Sequence, residues 1–163
     1  MSAKAHGSRG EGPREWIGGP GFPYEVSRVK IFEFAEAVGD ANPAYRDVAA
    51  ARRAGYPDVI APPTFAVVMA LPASVAAARE AFSGADSPIV VHVEQRFEYS
   101  RPIRAGDVLH GESEVISIRE MRGTVMVTAR TQIRAADGQH ICTAAMTLAI
   151  LPGNERSDQA PHP

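Results

Sequence analysis

The chain has 163 residues, a mass of 17.4 kDa and a formal net charge of -2 at pH 7. This length favours one domain with one hydrophobic core, and the weak net charge gives no electrostatic footprint for nucleic acid. Cys142 is the only cysteine, so an intrachain disulfide and a thiolate metal cluster are excluded. The polar N-terminus and the lack of a long apolar run predict a cytoplasmic protein without membrane insertion.

Both ends of the chain are rich in Gly, Pro, Ser and charged residues. Segments of this composition cannot bury enough apolar surface to become ordered. We therefore predict disordered tails at residues 1–15 and 152–163, and one domain without internal repeats at residues 16–151.

The first part of the domain carries two short helical patterns. Apolar residues recur at helical spacing from Ser27 to Val38, behind a Ser27 cap and before Gly39. A second, shorter helix is predicted from Asp47 to Ala54, where Gly55 ends it.

A third helix is predicted from Thr64 to Phe82, a segment that is apolar on nearly every face. Such a helix is expected to be buried all round. Pro72 lies in its middle and favours a kink.

From Pro88 onward, apolar and polar residues alternate, which predicts four strands. The strands cover about residues 91–99, 108–118, 124–133 and 140–151. Turn residues between them indicate consecutive hairpins and hence an antiparallel meander. Helices followed by strands are typical of an α+β fold. Because an apolar helix has to be shielded from water, the predicted architecture is an antiparallel sheet wrapped around a long buried central helix, the hot-dog fold.

Three motifs add a family resemblance to this pattern. Residues 38–45, VGDANPAY, resemble the hydratase signature G-D-x-N-P-x-H of the MaoC-like dehydratases up to its last position. Residues 97–107, with Arg101-Pro102 and Ala105-Gly106-Asp107, resemble the strand-and-turn motif of the same family, and residues 60–65, IAPPTF, lie between the two. The resemblance covers residues 22–151 and extends to the substrate-holding subunit type of the actinobacterial (3R)-hydroxyacyl-ACP dehydratase.

The resemblance implies the reversible removal of water from a 3-hydroxyacyl thioester, carried on CoA or on ACP phosphopantetheine, with no cofactor and no metal. In active members, an Asp and a His five residues later hold or generate the water. Backbone N–H groups at the start of the central helix polarise the thioester carbonyl. The acid-base pair and the N–H groups are both needed, because removing a proton alpha to a carbonyl builds negative charge on the carbonyl oxygen.

The catalytic pair is incomplete in this sequence. Asp40 matches the family's Asp, but Tyr45 stands at the His position. A phenol of pKa near ~10 stays protonated at neutral pH, whereas an imidazole near ~6.5 exchanges protons there. The resemblance therefore implies an acyl-chain-binding, catalytically impaired subunit. His92 is a candidate replacement base.

Seven residues are candidates for binding the substrate: Asn42, Ala61, Pro63, Thr64, Phe65, Arg101 and Arg104. Thr64 and Phe65 are the candidate N–H donors at the start of the central helix, since proline has no N–H. The two arginines could meet the phosphates of CoA or phosphopantetheine. For each of these seven residues a purely structural role remains open. The same holds for Asp40, whose carboxylate could cap backbone N–H groups in the turn.

Two other functions remain open. The chain could be an active homodimeric enoyl-CoA hydratase or dehydratase that uses Asp40 with His92, or a non-enzymatic module that binds an acyl chain or a small ligand. A thioesterase is possible on the fold alone, but no sequence feature favours it. An open sheet edge predicts a homodimer, or a heterodimer with a catalytic hot-dog subunit.

Overall fold

The computed structural model describes residues 23–81 and 89–151. The helices are α1 (Arg28–Ala37), α2 (Val48–Arg53) and α3 (Val67–Ala81), with a 3-10 turn at Pro43–Tyr45. The strands are β1 (Tyr24–Glu25), β2 (Ile89–Tyr99), β3 (Val108–Met121), β4 (Thr124–Ala135) and β5 (His140–Leu151). The predicted tails and Phe82 lie outside the described residues.

The two short helices form where the sequence predicts them. The Ser27 side chain accepts a hydrogen bond from the Lys30 N–H at 3.2 Å, which satisfies one of the free donors at the start of α1. Gly39 follows that helix with φ of +71°, a left-handed conformation that glycine adopts at little cost. Asp47 caps α2 in the same way as Ser27 caps α1. The sequence patterns did not predict β1 or the 3-10 turn, because elements of two or three residues show no periodicity.

The central helix starts later than predicted and is less buried. It begins at Val67 because the preceding residues form a tighter turn, in which the Phe65 N–H donates to the Pro62 oxygen at 2.9 Å. Pro72 lies inside the helix, as expected. The prediction of burial on every face is wrong, since Leu71 is 40% exposed. The helix contacts β3, β4 and β5, whereas Leu71, Pro72 and Ala76 are exposed.

The sheet is antiparallel, with strand order β1-β3-β4-β5-β2. All four predicted strands are present. The predicted meander is confirmed for β3, β4 and β5 but is wrong for β2, which pairs with β5 at the sheet edge. Turn residues indicate that a chain reverses, but they carry no information on which strand it pairs with next. Residues 100–107 therefore connect two non-adjacent strands instead of closing a hairpin.

The core lies between the helices and the inner face of this curled sheet. Phe65, which is 1% exposed, is at its centre and makes an edge-to-face contact with Phe34 at a ring-centroid distance of 5.2 Å. The inner face continues along β4 and β5 through Val127, Met146 and Leu148. This is the predicted α+β hot-dog arrangement. It brings the residues before α3 against the end of β2, where the candidate site lies.

Candidate functional site

A cleft of about 600 Å³ lies where the three sequence motifs meet. Five of the predicted site residues line it: Asn42, Tyr45, Ala61, Pro63 and Arg101. Residues that the sequence analysis did not select complete its wall, among them Tyr56, Ile60, Tyr99, Ser100 and Ile103. The cleft is thus built from segments of the chain that are far apart in sequence.

Asp40 lies in the turn that follows α1, two residues before the cleft residue Asn42. Its carboxylate accepts a hydrogen bond from the Asn42 N–H at 3.1 Å, and its own N–H donates to the Ala35 oxygen at 2.9 Å. The Arg46 guanidinium donates to the backbone oxygen of Asp40 at 3.0 Å. These contacts match the structural alternative, in which the carboxylate caps a local backbone N–H.

Tyr45 forms part of the cleft wall. The Asn42 side chain accepts a hydrogen bond from the Ala44 N–H at 3.0 Å and so caps the 3-10 turn that carries Tyr45. The side chain of Tyr45 is only 7% exposed. Burial, followed by the negative charge of Asp40, raises the pKa of the Tyr45 phenol above its usual value. The phenol therefore stays protonated at neutral pH and does not act as a base there.

The turn before α3 offers fewer donors than the sequence suggests. The structure does not support Phe65 as a donor, because its N–H already donates within the turn to Pro62. Thr64 is exposed and remains the candidate donor. The Tyr99 hydroxyl donates to the Pro63 oxygen at 2.7 Å, which fastens the end of β2 to this turn. Burial raises the pKa of Tyr99, so this hydroxyl keeps its proton.

Arg101 is occupied by contacts within the protein. Its guanidinium donates to both carboxylate oxygens of Asp107, at 2.8 and 2.9 Å, and to the Gln139 side chain at 2.9 Å. Asp107 is 7% exposed, so this is a buried, two-pronged ion pair. The Arg104 side chain is 43% exposed and lies 3.6 Å from Asp107. Of the two arginines, Arg104 is the better placed for a ligand phosphate.

The structure does not bring His92 to the cleft. His92 is exposed on β2, and its Nε2 lies 3.2 Å from the backbone oxygen of Glu94. It precedes Tyr99 by seven residues on the same strand, which at ~3.3 Å per residue places it about 23 Å from the cleft. Within one chain, His92 is therefore too far away to act with Asp40.

One pair of side chains at the cleft was missed by the sequence analysis. Ser100 Oγ lies 2.7 Å from His140 Nδ1, and His140 Nε2 lies 2.9 Å from Thr143 Oγ1. Ser100 stands inside the strand-and-turn motif, which could have drawn attention to it. The pairing with His140 depends on the register of β2 against β5, which no local pattern encodes.

The described residues offer no metal site and no membrane span. Within residues 23–81 and 89–151, His, Cys, Asp and Glu side chains nowhere gather in a group of three that could hold a metal ion. Over the same ranges, each helix is too short or too polar to cross a bilayer.

Comparison with known proteins shows the family of this chain. Residues 15–144 match the family model described as FAS1-like, dehydratase domain region. A UPF0336 protein of Thermobifida fusca is 44% identical over 135 residues, which cover 83% of this chain and 88% of the relative. A UPF0336 protein of Streptomyces coelicolor is 47% identical over 136 residues, covering 83% of this chain and 91% of the relative.

Solved structures agree with the family model. The HadBC (3R-hydroxyacyl-ACP dehydratase) complex of Mycobacterium tuberculosis contains a chain that is 31% identical, with a TM-score of 0.67 over 78% of this chain and 89% of that one. A MaoC-like dehydratase is 32% identical, with a TM-score of 0.75 over 86% of this chain and 42% of that longer one. The chain therefore belongs to the hot-dog dehydratase family of MaoC-like and FAS1-like dehydratase domains.

Proposed function

We propose that this chain is the acyl-chain-binding, catalytically impaired subunit of a (3R)-hydroxyacyl-thioester dehydratase. The observation that carries the proposal is the place of Tyr45, which fills the family's His position with a buried phenol in the cleft wall. The Asp40 carboxylate accepts from the Asn42 N–H, and because Tyr45 stands at the family's His position, no imidazole is placed there as its partner. An Asp without its acid-base partner leaves the water of the reaction without a group that exchanges protons at neutral pH.

The cleft suits an acyl thioester carried on CoA or ACP. Most of its wall comes from apolar or aromatic side chains, including Ile60, Pro63 and Ile103, which favour an acyl chain over a polar ligand. Arg104 provides an exposed cation two residues beyond the cleft residue Pro102, where a carrier phosphate could bind. Binding of this kind requires no cofactor beyond the carrier itself.

The open edge of β2 is the proposed contact for a second hot-dog subunit. Four apolar residues of this edge strand are exposed: Ile89, Val90, Val91 and Val93, at 53, 38, 44 and 54%. An unpaired apolar edge strand is a template for pairing with another chain. The HadBC neighbour is itself a complex, which supports pairing of this kind with a catalytic partner.

Replacing Val91 with Lys is expected to weaken this association at least tenfold, because the new charge would have to be buried at the edge. Sedimentation velocity over a concentration series measures the effect. Ile118→Lys is the matched control, since Ile118 is 56% exposed and lies on β3, away from β2. An Ile118→Lys chain that dissociates while Val91→Lys remains paired would contradict the proposed interface.

Hydration of crotonyl-CoA tests the proposed function. The purified chain is assayed alone and with a catalytic hot-dog protein that carries an intact Asp and His pair, each time as wild type and as Asp40→Asn. We expect hydration only with the partner, and no dependence of the hydration rate on Asp40. Turnover by the chain alone that is lost in Asp40→Asn would instead indicate an active hydratase with a different base.

A further inference from the structure

Three polar side chains form a hydrogen-bonded chain at the rim of the cleft. Ser100 Oγ and His140 Nδ1 are 2.7 Å apart, and Thr143 Oγ1 lies 2.9 Å from the other ring nitrogen of His140. A nucleophile bonded to a base, whose other side is oriented by a third group, is the general signature of nucleophilic catalysis. Ser100, His140 and Thr143 have the arrangement that nucleophilic catalysis requires, which hydration does not use.

The fold holds this pair in place from both sides. The Ser100 N–H donates to the Ile141 oxygen at 2.9 Å, which links the end of β2 to the start of β5. The neighbours of Ser100 are fastened as well, Tyr99 to the Pro63 oxygen and Arg101 to Asp107. Ser100 is thus positioned before any ligand binds.

Ser100 is also accessible to a ligand. It is exposed and lines the cleft, whereas His140 is half-buried behind it and does not line the cleft. When Nε2 of His140 donates to Thr143, Nδ1 is left to accept the Ser100 proton. A substrate in the cleft would therefore meet the hydroxyl first, with the base on its far side.

We propose that Ser100 is a nucleophile and His140 its general base, and that together they transfer the acyl group of small esters and acyl thioesters to water. For thioesters, this proposal rests on the acyl binding proposed above. Ser100 Oγ attacks the carbonyl carbon and His140 Nδ1 takes the hydroxyl proton. The bond from carbon to the leaving oxygen or sulfur breaks, and the leaving group receives that proton from His140. Water then attacks the acyl ester, His140 accepts its proton, and this proton returns to Ser100 as the acid is released.

The acyl enzyme is expected to accumulate. Thr143 can orient the imidazole, but its neutral hydroxyl does not stabilise the imidazolium as a carboxylate does. Acylation of Ser100 and hydrolysis of the acyl enzyme are therefore both slow. An activated ester, whose phenolate leaves easily, accelerates only the acylation. The predicted signature is a burst of leaving group, followed by slower turnover.

The full chain is mixed with p-nitrophenyl acetate, and the release of p-nitrophenolate is followed together with the mass of the intact protein. We expect a burst of about one equivalent and a protein that carries one acetyl group, which peptide mapping places on Ser100. Ser100→Ala should abolish the burst, and His140→Asn should slow it at least tenfold. Ser117→Ala and His110→Asn, which change the same residue types on β3, are the matched controls and should leave it intact. Thermal unfolding confirms that all four variants are folded.

Binding of a crotonyl-CoA thioether analogue, measured by calorimetry, separates this proposal from the proposed function. Analogue binding without a burst, or a burst that survives Ser100→Ala, overturns the role of Ser100 and leaves acyl binding standing. A burst that depends on Ser100 in a chain that does not bind the analogue supports the nucleophile and contradicts the acyl-thioester ligand.

Discussion

Replacing Tyr45 with His is expected to give the chain alone a crotonyl-CoA hydration rate on the order of 10² to 10⁴-fold above the background seen with the wild-type chain, the usual contribution of a positioned acid-base group. The phenol is buried, and burial together with the charge of Asp40 raises its pKa further above neutrality. An imidazole near ~6.5 would exchange protons at the pH of the assay. The initial rate at which 3-hydroxybutyryl-CoA forms is the measurement, because only hydration yields this product.

Tyr45→Phe is the matched control for the gain of activity. It retains the aromatic ring that fills the cleft wall and removes only the hydroxyl, so the rate should stay at the level of the wild-type chain. The double variant Asp40→Asn, Tyr45→His should lose the gain, because the imidazole needs the carboxylate as its partner. A Tyr45→His chain that folds, binds the substrate analogue and remains inactive would show that the loss of activity has further causes besides the residue at position 45.

Replacing Arg101 with Ala is expected to lower the free energy of unfolding by about 3–5 kcal/mol, the usual cost of leaving one partner of a buried ion pair unpaired. Asp107 is 7% exposed and receives both prongs of the Arg101 guanidinium, at 2.8 and 2.9 Å. Without Arg101, its carboxylate keeps the Arg104 N–H at 2.9 Å but loses its main cation. Urea unfolding followed by circular dichroism measures the loss.

The Arg28 and Asp58 pair provides a control of the same geometry at the surface. Arg28 also makes two hydrogen bonds to one carboxylate, at 2.9 and 2.7 Å, but its side chain is 62% exposed. Because solvent screens an exposed pair, Arg28→Ala is expected to lower the free energy of unfolding much less than Arg101→Ala does. Equal losses in the two variants would contradict the assignment of Arg101 to a buried structural pair.

The local elements of the fold follow from the sequence. The caps at Ser27 and Asp47 and the left-handed Gly39 each involve contacts within four residues, so short sequence windows contain all the information needed. The strands follow from alternation for the same reason. The exchange of the family's His for Tyr45 is likewise visible in a motif of eight residues.

The positions of the candidate residues relative to one another follow only from the tertiary structure. His92 and Ser100 lie on and just after the same predicted strand, and periodicity gives no reason to prefer either, yet only Ser100 lines the cleft. Arg101 matches a family motif, but its burial against Asp107 assigns it to the fold instead of to a phosphate.

The sequence by itself determined the presence of the three α-helices, the four long strands and the family motif with its missing His, because each of these depends on neighbours within a few residues. Only the tertiary structure decided that β2 lies beside β5 and that Ser100 therefore meets His140. Such a pairing depends on sheet order and register, which are set by packing the whole inner face of the sheet against the core and not by any single segment.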